Sequence, residues 1–360
     1  MVKSTVAVCA GILLYAISDQ AIFGSGWYLR FLDPDSLAGR VVLTVNEEAG
    51  RPGATGAEVA VVGNSMLAEG FSAKVADSAA AGRMRFRNLS VPASTPRCWY
   101  YLLRAADEEA RRYRAIVIQV EEYSDEDGET PMADAISDVH IVDPLLKPSD
   151  ALDFALSFSR PRLQFEALRG TLLKGYIYKQ DVQALLEAPS RRLEKMAQAR
   201  QGYAGWIYDY PGREQSLAGM KVDWARRSID FPPGVPADIR DRLRRTILRT
   251  RARQTGEQAR YRRLWFGRIL ERYSGGKTRI IFVRVPRGPA VNPAFDDAGD
   301  PSTIRAFATR PYVTLMDPHA FQSLEQPEYF FDDLHMNHAG RERFSRMLAR
   351  ALETEIGKDR

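Results

Sequence analysis

Cysteine is nearly absent from this chain, with two residues in 360, Cys9 and Cys98. Cys9 lies in an apolar leader, so no internal disulfide is expected and the fold should not depend on one. Histidine is scarce too: His140, His319, His335 and His338 are scattered without a spacing that gathers metal ligands, so neither a metal nor a cofactor is expected. Strong charge of one sign is missing as well. A net charge of +5 over this length permits contact with anionic surfaces but gives no argument for a nucleic-acid partner. No internal repeat or low-complexity tract occurs, and 45% hydrophobic with 27% charged residues excludes wholesale disorder. A long apolar run is also lacking: Thr5 to Ile17 is too short for a comfortable membrane span.

That run, preceded by Lys3, does match the apolar core of a secretory signal, with small residues at Ala16-Ile17-Ser18 for cleavage. An uncleaved anchor is the alternative, extended through Ala21-Ile22-Phe23 to an interfacial Trp27-Tyr28 pair. Both place the bulk of the chain outside the cytoplasm, at the periplasmic or extracytoplasmic face of the inner membrane. A buried or flexible N-terminal helix in a cytoplasmic protein is the third reading. Residues 1–28 are thus a signal or anchor, and 29–57 a stalk helix capped near Ser36, followed by the linker Arg51 to Ala57.

The folded part begins with Val59 to Val62, an unbroken apolar run suited to a strand buried on both faces of a parallel sheet. Gly63 ends it, Ser65 sits in the turn, and a crossover helix is expected from Phe71 to Ala81. A serine between a buried strand's carboxyl end and a helix stands at the edge where open α/β sheets bind ligands. It reads as a nucleophile, or more plainly as a helix cap. A serine hydroxyl needs a base and a group to hold that base. Asp332 and His335 supply such a pair, three residues apart and just before a helix expected from Ala339 to Ile356.

Gly63-Asn64-Ser65 after the first strand, together with Asp332-x-x-His335 before the last helix, resembles the SGNH, or GDSL-like, hydrolase superfamily of esterases and acyltransferases. The likeness is closer to its membrane-tethered bacterial branch, which includes proteins of alginate O-acetylation and teichoic acid D-alanylation. The resemblance implies a three-layer α/β/α sandwich of flavodoxin-like type with a mainly parallel five-stranded sheet. It would occupy 58–127 and 276–360, with a helical insertion or cap at 128–275. It also implies an oxyanion hole from the Ser65 amide, a glycine amide after strand two and an asparagine after strand three. Ala93 stands at the glycine position, and Glu121 occupies or adjoins the asparagine position.

The remaining strands are expected at Met84 to Leu89, Ala115 to Val120, Arg279 to Val285 and Tyr312 to Met316, with a helix starting at Thr95-Pro96. The middle of the chain reads as helices at Pro161 to Tyr176 and Asp181 to Ala199, an aromatic loop from Tyr203 to Gly212, and one long arginine-rich helix from Ala237 to Tyr273. The loop's aromatics either stack on sugar rings or fill core, and the arginines read as a solvated face. Arg97, Arg284 and Arg287 lie near the ligand edge, where with Glu121 they either bind substrate or pair with nearby carboxylates.

Two functions follow. One is an exported serine esterase or O-acyltransferase that moves acyl groups of a cell-envelope polysaccharide through an acyl-Ser65 intermediate, with a carbohydrate or small acyl ester as substrate and an envelope acyl-transfer protein as partner. The other is a non-catalytic scaffold or carbohydrate-binding component of an envelope assembly.

Overall fold

The apolar runs become strands because none can leave either face in water. The computed structural model describes residues 2–51, 57–125, 132–249, 256–292 and 301–357. The elements run α1 (Val2–Asp19), α2 (Leu37–Ala49), β1 (Glu58–Val62), α3 (Ser65–Gly70), α4 (Ala73–Ala80), β2 (Arg85–Asn88), α5 (Pro96–Ala106) and β3 (Ala115–Val120). Next come α6 (Ser137–Val142), α7 (Ala151–Leu156), α8 (Pro161–Leu172), α9 (Lys174–Glu187) and α10 (Pro189–Asp209). The chain continues through β4 (Lys221–Asp223), β5 (Ser228–Asp230), α11 (Ala237–Ile247), α12 (Glu257–Tyr273), β6 (Arg279–Arg284), α13 (Thr303–Phe307), β7 (Val313–Leu315) and α14 (His338–Gly357).

The main sheet has five strands in the order β2-β1-β3-β6-β7, and every adjacent pair is parallel. Register is fixed by pairs such as Val59 with Ala115 and Ile118 with Phe282. Helices cover both faces. Val59, Val61, Val117 and Ile281 pack with Ala76 of α4 and with Phe344 and Leu348 of α14. On the opposite side Phe282 meets Phe266 of α12 edge-on at 5.1 Å, with Trp99 of α5 beyond it. The order reverses direction at β1, so the crevice between the carboxyl ends of β1 and β3 is the switch point where such sheets accept ligands.

The chain divides into two compact units. One comprises Met1–Arg51, Tyr101–Ala106 and Met132–Ala204; the other comprises Pro52–Tyr100, Asp107–Pro131 and Gly205–Arg360 and holds the sheet. The expected insertion is therefore not one body, because its second half belongs with the sheet. Within the first unit α2 does begin at Ser36, whose hydroxyl accepts from the Gly39 amide. It is no free stalk, however: Val41, Thr44 and Glu48 are buried. Among the described residues no helix is long and apolar enough to cross a membrane.

Several helix boundaries differ from expectation for local reasons. Leu173 leaves helical geometry between α8 and α9, and Pro189 opens α10 after a break at Ala188. The arginine-rich stretch makes two helices, α11 and α12, the second entered through Gly256 at φ 68°. Tyr203 to Asp209 continues α10 instead of forming a loop. The small antiparallel pair β4–β5 was not anticipated. Most of the linker lies outside the described residues, as does part of the acidic stretch that follows β3, from Glu121 to Asp127.

Candidate active site

Ser65 is the first residue of α3, a short helix that the sequence does not suggest, and the expected crossover helix follows it as α4. Asn64 is its cap, with the side-chain Oδ1 accepting from the Met66 amide at 2.9 Å. As the first helical residue, Ser65 has an amide with no partner inside the helix. Gln119, a polar residue in the buried strand β3, holds this turn from below. Its Oε1 accepts from the Asn64 amide at 3.0 Å and its Nε2 donates to Asn64 Oδ1 at 2.9 Å. Gly63 makes the contact possible, since a Cβ there would stand 2.3 Å from Gln119 Oε1.

The two ends of the chain meet at Ser65. His335 Nε2 lies 2.8 Å from Ser65 Oγ, and His335 Nδ1 lies 2.9 Å from Asp332 Oδ2. Asp332 Oδ1 also accepts from the amides of Leu334 and His335, so the three-residue spacing forms a tight turn that carries its own carboxylate. Burial alone would raise the Asp332 pKa. The hydrogen bond and charge of His335, with those two amides, outweigh burial and hold the carboxyl below its usual range. Phe331 stacks on the imidazole at 5.7 Å with an interplanar angle of 14°, which fixes the ring plane.

Elements from the second half of the expected insertion brace this turn. Arg242 of α11 donates to Asp332 Oδ2 at 3.1 Å, and its Nε forms a close ion pair with Asp333 Oδ1 at 2.6 Å without hydrogen-bond alignment. Thr246, one turn further on, donates to Asp333 Oδ2. The extended segment after α10 lies along the histidine loop: His338 N donates to Arg213 O, Leu217 N to Phe330 O, and Arg213 sits over the Phe331 ring. His338 opens α14, one residue ahead of the start expected for that helix.

The loop after β2 carries Ala93 in left-handed backbone geometry, φ 58°. That conformation costs a residue with a Cβ about 1–2 kcal/mol and suits the glycine implied at this position. The loop is tied beside the turn that carries Ser65, because Val91 N and Ser94 Oγ both donate to Gly63 O, and Trp99 Nε1 donates to Ser94 Oγ. Glu121, at the end of β3, accepts from Asn64 Nδ2 at 3.2 Å. It therefore adjoins the turn that carries Ser65.

The three arginines do not offer free guanidinium groups. Arg97 is wholly buried between the rings of Tyr261 and Trp265. Arg284 pairs with Glu122, and Arg287 is clamped between Glu122 and Glu325. The pairs of Arg284 and Arg287 fix the ends of β3 and β6, which is the carboxylate-pairing alternative and not a substrate grip, while Arg97 is engaged by ring faces inside the fold. Among the described residues no cluster of three metal-ligating side chains occurs.

No family model matches the chain, and no curated protein matches it. The site's chemistry therefore rests on its own geometry: a hydroxyl, an imidazole and a carboxylate in series.

Of the residues in this site, Gln119, Arg242 and Phe331 had not been singled out. A signal existed for Gln119, since one amide side chain in the run Ala115-Ile-Val-Ile-Gln-Val120 must find a buried partner. None existed for Arg242, which is one of many arginines on a helix remote in sequence.

Proposed function

We propose that this chain is a serine acyl-transfer enzyme of the SGNH type, an exported esterase or O-acyltransferase acting on acyl esters of a cell-envelope polysaccharide. The observation that carries the reading is the unbroken series Ser65 Oγ, His335 Nε2 at 2.8 Å, His335 Nδ1 and Asp332 Oδ2 at 2.9 Å.

In this reading His335 takes the Ser65 proton as Oγ bonds to the acyl carbon. The ester C–O bond then breaks, and the imidazolium returns that proton to the leaving alkoxide. Asp332 keeps the Nδ1 proton in place and stabilises the imidazolium, itself remaining ionised. Water, or a sugar hydroxyl, next gives its proton to His335 and its oxygen to the acyl carbon; the bond from that carbon to Ser65 Oγ breaks, and the imidazolium returns the proton to Oγ. The Ser65 and Ala93 amides serve the oxyanion. A carboxylate at Glu121 cannot donate, and the loss of one such donor costs about a hundredfold to a thousandfold in rate. We therefore place the enzyme among slow acyl-transfer catalysts unless its partner or substrate supplies the missing donor.

The test is turnover of p-nitrophenyl acetate by the full chain, with mass spectrometry of the acid-quenched protein. The expected result is an acetyl group on Ser65, absent in Ser65→Ala. Glu121 favours a second reading, a scaffold that keeps the fold without turnover; the absence of both acetyl-Ser65 and hydrolysis would select it.

A further inference from the structure

A second site lies in the unit that carries the N-terminal helix. The segment Trp27–Phe31, helix α2 and helix α10 line a half-open cavity of about 490 Å³. Its walls are mainly apolar, with Leu29, Val42, Leu43 and the buried Met196 among them. Arg30 and Arg200 also line it, and both are exposed. Arg200 Nη2 donates to the carbonyl of Arg30 at 2.6 Å, which brings one guanidinium to the backbone beside the other arginine. Among the described residues neither guanidinium is paired with a carboxylate, although Asp33 and Asp35 lie close in the chain. Those two acids are taken by Lys195 and, for Asp33, also by Arg192. Two unneutralised cations beside an apolar cavity are complementary to an anionic head on an apolar tail.

The same unit presents unusual apolar surface. Leu13, Leu14, Tyr15 and Ile17 of α1 are each more than half exposed. Successive helical residues are about 100° apart, so these four point in different directions around the axis. A helix apolar all round does not belong in water. Ile22 and Trp27 follow, also exposed, and Trp27 packs on Phe31 at 4.9 Å directly before the cavity wall. Tryptophan is the residue that best tolerates the boundary between lipid and water.

We infer that the cavity between the Trp27–Phe31 segment, α2 and α10 takes the phosphate head of an anionic membrane phospholipid, gripped by Arg30 and Arg200 with its glycerol and first acyl carbons against Leu29, Val42 and Met196. The inference rests on the membrane reading of the N-terminal segment and is independent of the Ser65 chemistry. It gives the anchor a lipid preference and fixes the unit at the membrane surface.

The test uses the full chain and dihexanoyl phosphatidylglycerol below its micelle concentration, followed by tryptophan fluorescence or calorimetry, with dihexanoyl phosphatidylcholine and inorganic phosphate as separate arms. Saturable binding of the glycerol lipid is expected, weakened about thirtyfold in Arg30→Gln/Arg200→Gln, at about 1 kcal/mol for each basic residue. Val42→Trp, which fills the cavity, should weaken it as well. The exposed pair Arg162→Gln/Arg191→Gln, outside the cavity lining, should leave it unchanged. Equal loss in that control pair, equal binding of the choline lipid, or equal binding of inorganic phosphate would overturn the lipid site. Partitioning of the chain into neutral vesicles tests the membrane reading separately. Its failure would remove the anchor, whereas the soluble-lipid arms would still report on the cavity.

Discussion

His335 Nε2 and Ser65 Oγ lie 2.8 Å apart although 270 positions separate them in the chain. The parallel sheet produces this meeting: Ser65 leaves the carboxyl end of β1, and the loop after β7 returns to the same edge before α14 packs beneath it. Asp332 completes the series only while it is a charged acceptor. Asp332→Asn should keep the fold and lower kcat/KM by about 10⁴-fold, because an amide at that place favours the wrong imidazole tautomer. Steady-state ester hydrolysis beside a far-ultraviolet circular dichroism spectrum checks this.

Acid should expose the same carboxylate through stability. The folded-state pKa of Asp332 is below its unfolded value, so its contribution is present above the ordinary carboxyl range and is lost as pH falls through the folded value. The Tm difference between the wild type and Asp332→Asn should therefore be largest near neutrality and shrink in acid. A difference that grows on acidification would contradict the assignment of Asp332 as the ionised partner.

Asp143 should behave in the opposite sense. Burial is the dominant influence and lifts its pKa from 3.8 to about 6, although Lys174 opposes it. A raised carboxyl pKa means that the folded state holds a proton the unfolded chain has already released. Stability should then decline as pH rises from about 4 to about 6, by on the order of 3 kcal/mol. Asp143→Asn should flatten that part of the curve, as read by denaturant unfolding of the full chain at a series of pH values.

Gly63→Ala tests the clamp under the Ser65 turn. The new Cβ would meet Gln119 Oε1 at 2.3 Å and Leu67 Cδ1 at 2.8 Å. One of these side chains must move, at a cost of about 1–3 kcal/mol. If Gln119 yields, Asn64 loses two hydrogen bonds and Ser65 leaves its line with His335. The expected outcome is a lower Tm together with a lower kcat and little change in KM.

Glu121→Gln replaces an acceptor-only group by one that can donate. Rate should rise, by up to about a hundredfold if the new amide reaches the oxyanion. Unchanged kinetics would mean that this side chain stays on Asn64, which it now serves as an acceptor.

Much of this architecture was legible in the chain because the signals were local. Val59 to Val62 and Ala115 to Val120 are short β-branched runs that suit buried strands and form them, and the glycine after the first opens the turn that presents Ser65. The triad was legible for a related reason, since serine, histidine and aspartate sat where an alternating α/β chain delivers its loops. What escaped depends on distant packing. Arg97, Arg284 and Arg287 read as ligand-edge cations, yet ring faces from α12 engage the first, and carboxylates after β3 and β7 pair with the other two. Arg242 reaches Asp332 and Asp333 across 90 residues of chain, and no spacing rule connects a helical arginine to an acid so remote. The break between α11 and α12 was hidden because arginine and leucine favour helix on both sides of it.

The most direct test of the central claim is labelling by a serine-directed fluorophosphonate. Wild-type chain should form one adduct, located at Ser65 by peptide mass spectrometry, while Ser65→Ala forms none and His335→Ala reacts far more slowly. Equal labelling of the wild type and Ser65→Ala, or none of either together with no turnover of small acyl esters, would contradict an activated Ser65.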